Sequence, residues 1–264
     1  MKKLACVVAF VVVAACSSDP ETTPSPDAGG AGTNDGGGGS SGDGGVSGDG
    51  SGPGDGGGKT DAAASCTAAA EQLLKPVDTV STGEVTVLSE SAGIKTLFVD
   101  AAAGGAAGAA TNPRLYVNLE TTSRVAVTDK TATTSTEWDL AIKRPILFAN
   151  SGDGGSGQGG AVLVAKDFDA VTMADTSGKT FAPESFFEAD CTPKVDATGA
   201  VKTSFDGWYD YETATNVLTP HPGTWLVKGA TGKFYRVQIL SYYATPDGGV
   251  GQAGGRYTLK VGAL

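Results

Sequence analysis

The chain of 264 residues has one histidine, two methionines and four cysteines. A lone imidazole and cysteines without CxxC spacing do not make a structural zinc site, and none is expected. Basic residues are also scarce. Nineteen Lys and Arg face 29 Asp and Glu, for a formal charge of −10. They form no basic stripe, which argues against nucleic acid as a partner. Beyond residue 16 no segment is long and apolar enough to cross a bilayer. No repeat of solenoid or propeller period is visible. A Gly-Lys-Ser/Thr phosphate loop and a calcium loop with its terminal glutamate are both missing.

The N-terminus reads as an export signal over residues 1–15. Met1-Lys2-Lys3 is basic, and residues 4–15 form an apolar run of 12 residues, short for a mature membrane helix. The run closes with Val13-Ala14-Ala15-Cys16, which resembles the lipobox read by the lipoprotein signal peptidase. Cys16 would then carry diacylglycerol and its acyl chains, palmitate among them. The alternative is an ordinary signal peptide with a chance cysteine. Ser17 and Ser18 leave out the acidic residue linked to inner-membrane retention, so a lipid-anchored outer-membrane location is expected.

Residues 16–65 read as the anchor and a linker. Residues 17–65 hold 17 of the chain's 40 glycines, no aromatic residue, and Val46 as the only large aliphatic. Such a stretch cannot bury enough apolar area to offset its ordering entropy, so disorder is expected. A Gly-rich coil of this length spans roughly 35–40 Å, enough to hold a domain off a membrane. Export implies an oxidising compartment. Cys6 leaves with the signal and Cys16 is acylated, so Cys66 and Cys191 remain and can pair as a disulfide. Two separate buried thiols are the alternative.

From residue 66 to residue 264 the pattern is that of one all-β domain. Residues 67–75 read as a short Ala-rich helix stopped by Pro76. Strand-like runs follow at 84–88, 96–100, 114–119, 123–127, 138–144, 146–150, 161–165, 208–211, 224–228, 233–243 and 256–261. Tyr235, Val237 and Ile239 alternate with polar or half-polar neighbours, as do Tyr257, Leu259 and Val261. Trp138, Leu140 and Ile142 would share one face, with Asp139 and Lys143 on the other. This period-two pattern fits antiparallel strands with one buried face. Gly229-Ala-Thr-Gly232 should turn a hairpin over residues 224–243.

Candidate chemistry is sparse. Gly152, Gly154 and Gly157 satisfy G-x-G-x-x-G, but an apolar strand-like run follows where a nucleotide site needs a helix. A loop or close backbone packing is the simpler reading, and no nucleotide is expected. His221, between two prolines, could be a ligand or an exposed loop residue; a catalytic triad has no placed nucleophile. Glu188/Asp190 and Asp206/Asp210 read as solvated surface acids. Trp208, Tyr209, Tyr211, Trp225, Tyr235, Tyr242, Tyr243 and Tyr257 crowd the C-terminal third. They read mainly as core and cross-strand pairs, with an aromatic wall for a ligand as the second option.

Several strings together resemble a known family. They are Trp138-Asp-Leu-Ala-Ile-Lys-Arg144, Asn150, Ser156-Gly-Gln-Gly-Gly-Ala161, Gly207-Trp-Tyr-Asp-Tyr211, the segment 225–237 with its Gly-Lys turn, Ser241-Tyr-Tyr243 and Tyr257-Thr-Leu259. Over residues 80–262 the chain resembles the HmuY family of exported haem-binding lipoproteins. The resemblance implies an all-β fold holding haem between loops, no enzymatic activity, and a TonB-dependent haem receptor as partner. It also implies two axial iron ligands, histidines in the best-known member. One of these positions holds Glu212 and Thr213 here, and the region of the other has no histidine. Haem iron accepts His, Met, Cys or Tyr. One bond from His221, opposed by Met173, a tyrosine or water, is therefore the most the domain supplies. Trp208 and Tyr211 are the aromatic candidates for the ring. The alternative function is a structural or adhesive surface domain that has lost haem.

Overall fold

Alternation of apolar and polar side chains marks the central strands of the largest sheet. A computed structural model describes residues 66–264, apart from 103, 104, 106, 107, 109 and 110. The signal, Cys16 and the linker lie outside the described residues. Strands β1 (Val85–Ser91), β2 (Ile94–Asp100), β7 (Gly160–Val164), β10 (Thr224–Lys228), β11 (Phe234–Ser241) and β12 (Arg256–Ala263) pair in the order β1-β2-β12-β11-β10-β7. Every pairing is antiparallel. Tyr235, Val237 and Ile239 on β11 are buried, as are Tyr257, Leu259 and Val261 on β12, while Arg236, Gln238 and Lys260 are only half-buried. Val237 pairs with Val261 and Ile239 with Leu259, so the apolar rows stand side by side. Ala92 and Gly93, both at positive φ, turn β1 into β2 across the pair Ser91–Ile94, the geometry a two-residue hairpin loop requires. The hairpin of β10 and β11 forms around residues 229–232, as the glycine spacing predicts.

The smaller sheet has the order β4-β3-β5-β6, from β3 (Leu115–Asn118), β4 (Ser123–Val125), β5 (Leu140–Lys143) and β6 (Ile146–Ala149). It is apolar on both faces. Leu115, Val117, Leu140, Ile142 and Leu147 join the main core with Leu97, Val99, Leu259 and Val261. Tyr116, Ala141 and Phe148 face the other way and meet Trp138, Phe186 and Cys66. Trp138 thus does not share a face with Leu140 and Ile142, as strict alternation from residue 138 predicts. A bend at Asp139 precedes β5 and breaks the period. Nor does Asp139 face solvent, being only 4% exposed.

Helix α1 (Thr67–Leu74) lays Ala69, Ala70, Leu73 and Leu74 on this second cluster. It ends with Lys75 in the left-handed conformation, directly before Pro76. Cys66 and Cys191 are joined, with Cα atoms 5.2 Å apart, which fixes the start of α1 to the segment after Phe187. A one-turn helix α2 (Asp129–Ala132) is capped by Thr128 and Thr131. Asp129 is a structural anchor. Its carboxylate accepts from the Val77 and Arg114 backbone N–H groups, the Arg114 guanidinium and the Tyr116 hydroxyl.

A small hairpin of β8 (Tyr209–Glu212) and β9 (Val217–Pro220) completes the fold. The sequence pattern does not announce β9. It has four residues and ends on a proline, which a two-stranded edge tolerates because the missing N–H faces no third strand.

Candidate functional site: a tyrosine-walled cleft

The C-terminal aromatics divide between a floor and a wall. Trp208, 3% exposed, donates its indole N–H to the Pro145 carbonyl at 2.8 Å. Its ring lies 4.7 Å from Tyr209, 5.9 Å from Tyr242 and 5.6 Å from Tyr257. Tyr257 is fully buried and donates its hydroxyl to the Arg144 carbonyl. Tyr242 packs edge-on against both Tyr243 and Tyr257. Above this cluster opens a cleft of about 940 Å³, walled by Tyr209, Tyr211, Tyr242 and Tyr243 and carrying Arg144 and Arg256. A Cβ at Gly254 would lie 2.7 Å from the Tyr242 ring, so only glycine lets the 250–255 loop close on that wall.

The cleft is lined by charges of both signs. Burial pushes the Tyr242 phenol up to about 12, while the Arg144 charge pulls it the other way. Tyr209 is also raised by burial, reinforced by Asp196 and Asp206 on its side. The Tyr209 and Tyr242 phenols are therefore neutral near pH 7. Burial opposes the charge on Asp196, but hydrogen bonds from Thr198, Ala200 and Gly199 outweigh it and hold the carboxyl below the usual range. Arg256 sits 3.4 Å from the Asp100 carboxylate. Arg144 has no acidic side chain in contact among the described residues, and its backbone holds φ of +52°.

The four ligand candidates named from sequence do not converge. Tyr211 lines the cleft, 48% exposed, with its hydroxyl 2.7 Å from the Asn216 side-chain oxygen. Trp208 is beneath the wall and supports it. His221 sits just past β9, its backbone N–H on the Trp208 carbonyl and its Nε2 2.8 Å from Asp210 Oδ1. Asp210 lines the cleft but His221 does not. Met173 borders a second cleft, of about 630 Å³, with Lys95, Glu120, Lys233 and Leu264. Arg256 at the start of β12 lines the first cleft and Val261–Ala263 near its end the second. Arg256 and Val261 are five residues apart on one strand, about 17 Å, and His221 is held on Asp210 beside the first cleft, so His221 and Met173 are not placed to oppose each other across one iron. Glu212, the exposed last residue of β8, and Thr213, the first of the turn, line neither cleft. Among the described residues no group of three or more His, Cys, Asp or Glu is placed to hold a metal ion. The two arginines escaped the sequence reading. Arg144 closes the Trp138–Arg144 string, and Arg256 alternates with a core tyrosine.

The strings that carry the family resemblance do structural work. Trp138 donates to the Ala132 carbonyl. Asp139 accepts from Leu119 N–H at 2.7 Å and Ala230 N–H at 2.8 Å, tying the small sheet to the β10–β11 turn. Burial nevertheless raises its pKa. Asn150 donates to the Ser135 and Trp138 carbonyls and accepts from Gly157 N–H. A Cβ at Gly155 would fall 2.3 Å from the Asn150 side-chain oxygen, and one at Gly157 would fall 2.8 Å from Ala230. The glycines at 152–160 thus serve close packing, and the segment leads into strand β7 rather than a helix.

A family model described as HmuY protein matches residues 110–257, more than half of the chain. The chain belongs to the HmuY family. The match takes in the Asp139 and Asn150 clamps, the β10–β11 hairpin and all four wall tyrosines. Among solved structures, one from Bacteroides vulgatus, named as HmuY-like and haem-binding, is 16% identical. It covers 67% of this chain and 96% of its own, with a TM-score of 0.46. One from Bacteroides fragilis, named as a lipoprotein, is 16% identical over 67% and 92%, with a TM-score of 0.38. An apo HmuY analogue from Tannerella forsythia is 13% identical over 70% and 99%, with a TM-score of 0.37. No curated protein matches the chain.

Proposed function

We propose that the chain is a non-enzymatic, lipid-anchored outer-membrane protein of the HmuY family that takes haem, or another flat aromatic ligand, in the tyrosine-walled cleft. The observation that carries this reading is the cleft itself. Its volume is in the range of small-molecule sites, and four tyrosines with one unopposed cation line it. Aromatic faces suit a planar ring, and the cation suits an acidic substituent on it. The donor set fits the ring better than the iron. Tyr hydroxyls are the iron-capable side chains that line the cleft, and burial resists ionisation of Tyr209 and Tyr242. A TonB-dependent haem receptor is the partner that such a carrier would serve.

A second reading, a surface domain that kept the fold and lost haem, draws on His221, which is turned onto Asp210 instead of lining the cleft. Titration of the full chain with haemin, followed by absorbance in both oxidation states, separates the two. A saturable Soret change is expected, with the same spectrum for His221→Ala. Absence of any change at micromolar haemin would overturn the haem reading.

A further inference from the structure

We propose that Arg144 is the recognition residue of the cleft: it donates to a carboxylate on the edge of the bound ring, so that the acidic edge of the ligand, and not a central metal, sets orientation and affinity. This rests on the haem-class reading above and specifies how that ligand is held.

Three observations lead there. The first is the charge balance. Each other charge around the cleft is engaged or lies in open solvent. Arg256 is beside Asp100, Asp210 is bonded to His221, Asp196 is capped by its own turn, and Asp206 is exposed. Arg144 is half-buried with no carboxylate in contact among the described residues. The second is the backbone. Residue 144 holds φ of +52°, a region glycine enters with less strain. Its N–H is on the Ala101 carbonyl and its own carbonyl takes the Tyr257 hydroxyl. Residues 144 and 145 form the two-residue turn between β5 and β6, which requires a positive φ at its first position. The main chain is therefore pinned from both sides, and the turn fixes where the guanidinium begins. The third is polarity. Arg144 acts on Tyr242, and Asp196 and Asp206 act on Tyr209, so cation and anions address different wall tyrosines. A ring with carboxylates along a single edge matches that asymmetry; a symmetric or uncharged ring does not. A planar guanidinium also suits a carboxylate better than an ammonium, because it can donate two parallel hydrogen bonds.

The test titrates the full chain with haemin, metal-free protoporphyrin IX and protoporphyrin IX dimethyl ester in one detergent buffer, read by quenching of tryptophan fluorescence. Haemin and the metal-free diacid should bind comparably, and the dimethyl ester about tenfold more weakly. Arg144→Gln should weaken both acids by about tenfold and leave the ester unchanged, while Arg144→Lys should restore part of the loss. An ester that binds wild type as tightly as the diacid would overturn the inference. So would haemin binding with no binding of the metal-free diacid, since that points to iron ligation. The wild-type ester comparison decides the matter even if Arg144→Gln does not fold. Failure of all three porphyrins to bind would remove the haem-class reading and this inference with it.

Discussion

Replacing both members of the Cys66–Cys191 bridge with alanine should cost the domain several kcal/mol without changing its fold. The bond closes a segment with a sequence separation of 125 residues. In the chain-entropy description, a loop of that length restricts the unfolded chain by about 5 kcal/mol at 25 °C. That figure is an upper bound. Native contacts also hold α1: Ala69, Ala70, Leu73 and Leu74 pack on the second cluster, and the Arg114 guanidinium donates to the Leu74 carbonyl at 2.8 Å. These survive the substitution, and α1 can fray from a domain that stays folded. A loss of about 2–5 kcal/mol is therefore expected, a fall in Tm of roughly 5–20 °C for a domain of this size. Urea unfolding followed by tryptophan fluorescence, with and without reductant, measures it. Wild type under reductant should match the double variant. A loss below about 1 kcal/mol would refute the reasoning, because the constraint on the unfolded chain would then be offset by strain in the folded one.

Two further perturbations test other parts of the molecule. Burial raises the pKa of Glu184 in the folded state, against hydrogen bonds from Ser204 and Ala149. Its contribution to stability is full below the unfolded value of about 4.5 and is lost as pH rises through the raised folded value. Glu184→Gln should flatten that limb of the stability-against-pH curve; a variant with the wild-type slope from pH 4.5 to 8 would show that Glu184 does not set it. Cys16→Ala should abolish acylation and release the protein from the membrane fraction, and lipid found on the variant by mass spectrometry would refute the anchor.

The β architecture was most legible where a strand buries one face, because a buried face writes itself as a period of two. Tyr235, Val237 and Ile239 on β11 show this plainly. The pattern fails where both faces are covered. At Trp138, Asp139 and Leu140 all three side chains are inside, and the bend at Asp139 leaves no trace in polarity. Strand β9 is too short, and too exposed at Val217 and Thr219, to carry a signal. The disulfide followed from counting cysteines in an oxidising compartment. The cleft was only half legible. Its tyrosines stood out, but Tyr257 in the core and Tyr211 on the wall look alike in sequence. His221 and Met173 drew attention because iron chemistry names those residue types, and only the fold shows that they border different places.

One segment connects the folding of this domain to its cleft. Along the string from Trp138 to Arg144, the first two side chains are buried clamps. Trp138 fills the second cluster, and the Asp139 carboxylate joins β3 to the β10–β11 turn. The next residues form β5 and pack into both cores. The last, Arg144, leaves the strand through a left-handed backbone, a conformation that costs a non-glycine residue roughly 1–2 kcal/mol. Packing on either side supplies that energy: the Tyr257 hydroxyl holds its carbonyl, and Trp208 holds the next one along, at Pro145. The cation of the cleft is thus positioned by the residues that complete the core. Glu212 ends β8 and Thr213 begins the β8–β9 turn, both exposed; the hairpin is held to the wall by the Leu218 N–H on the Tyr243 hydroxyl. Substitutions at Glu212 and Thr213 should cost folding little, whereas loss of Asp139 or Trp208 would release the main chain that aims Arg144. The strings that identify the fold are therefore strong evidence for the cleft and weak evidence for any particular axial ligand.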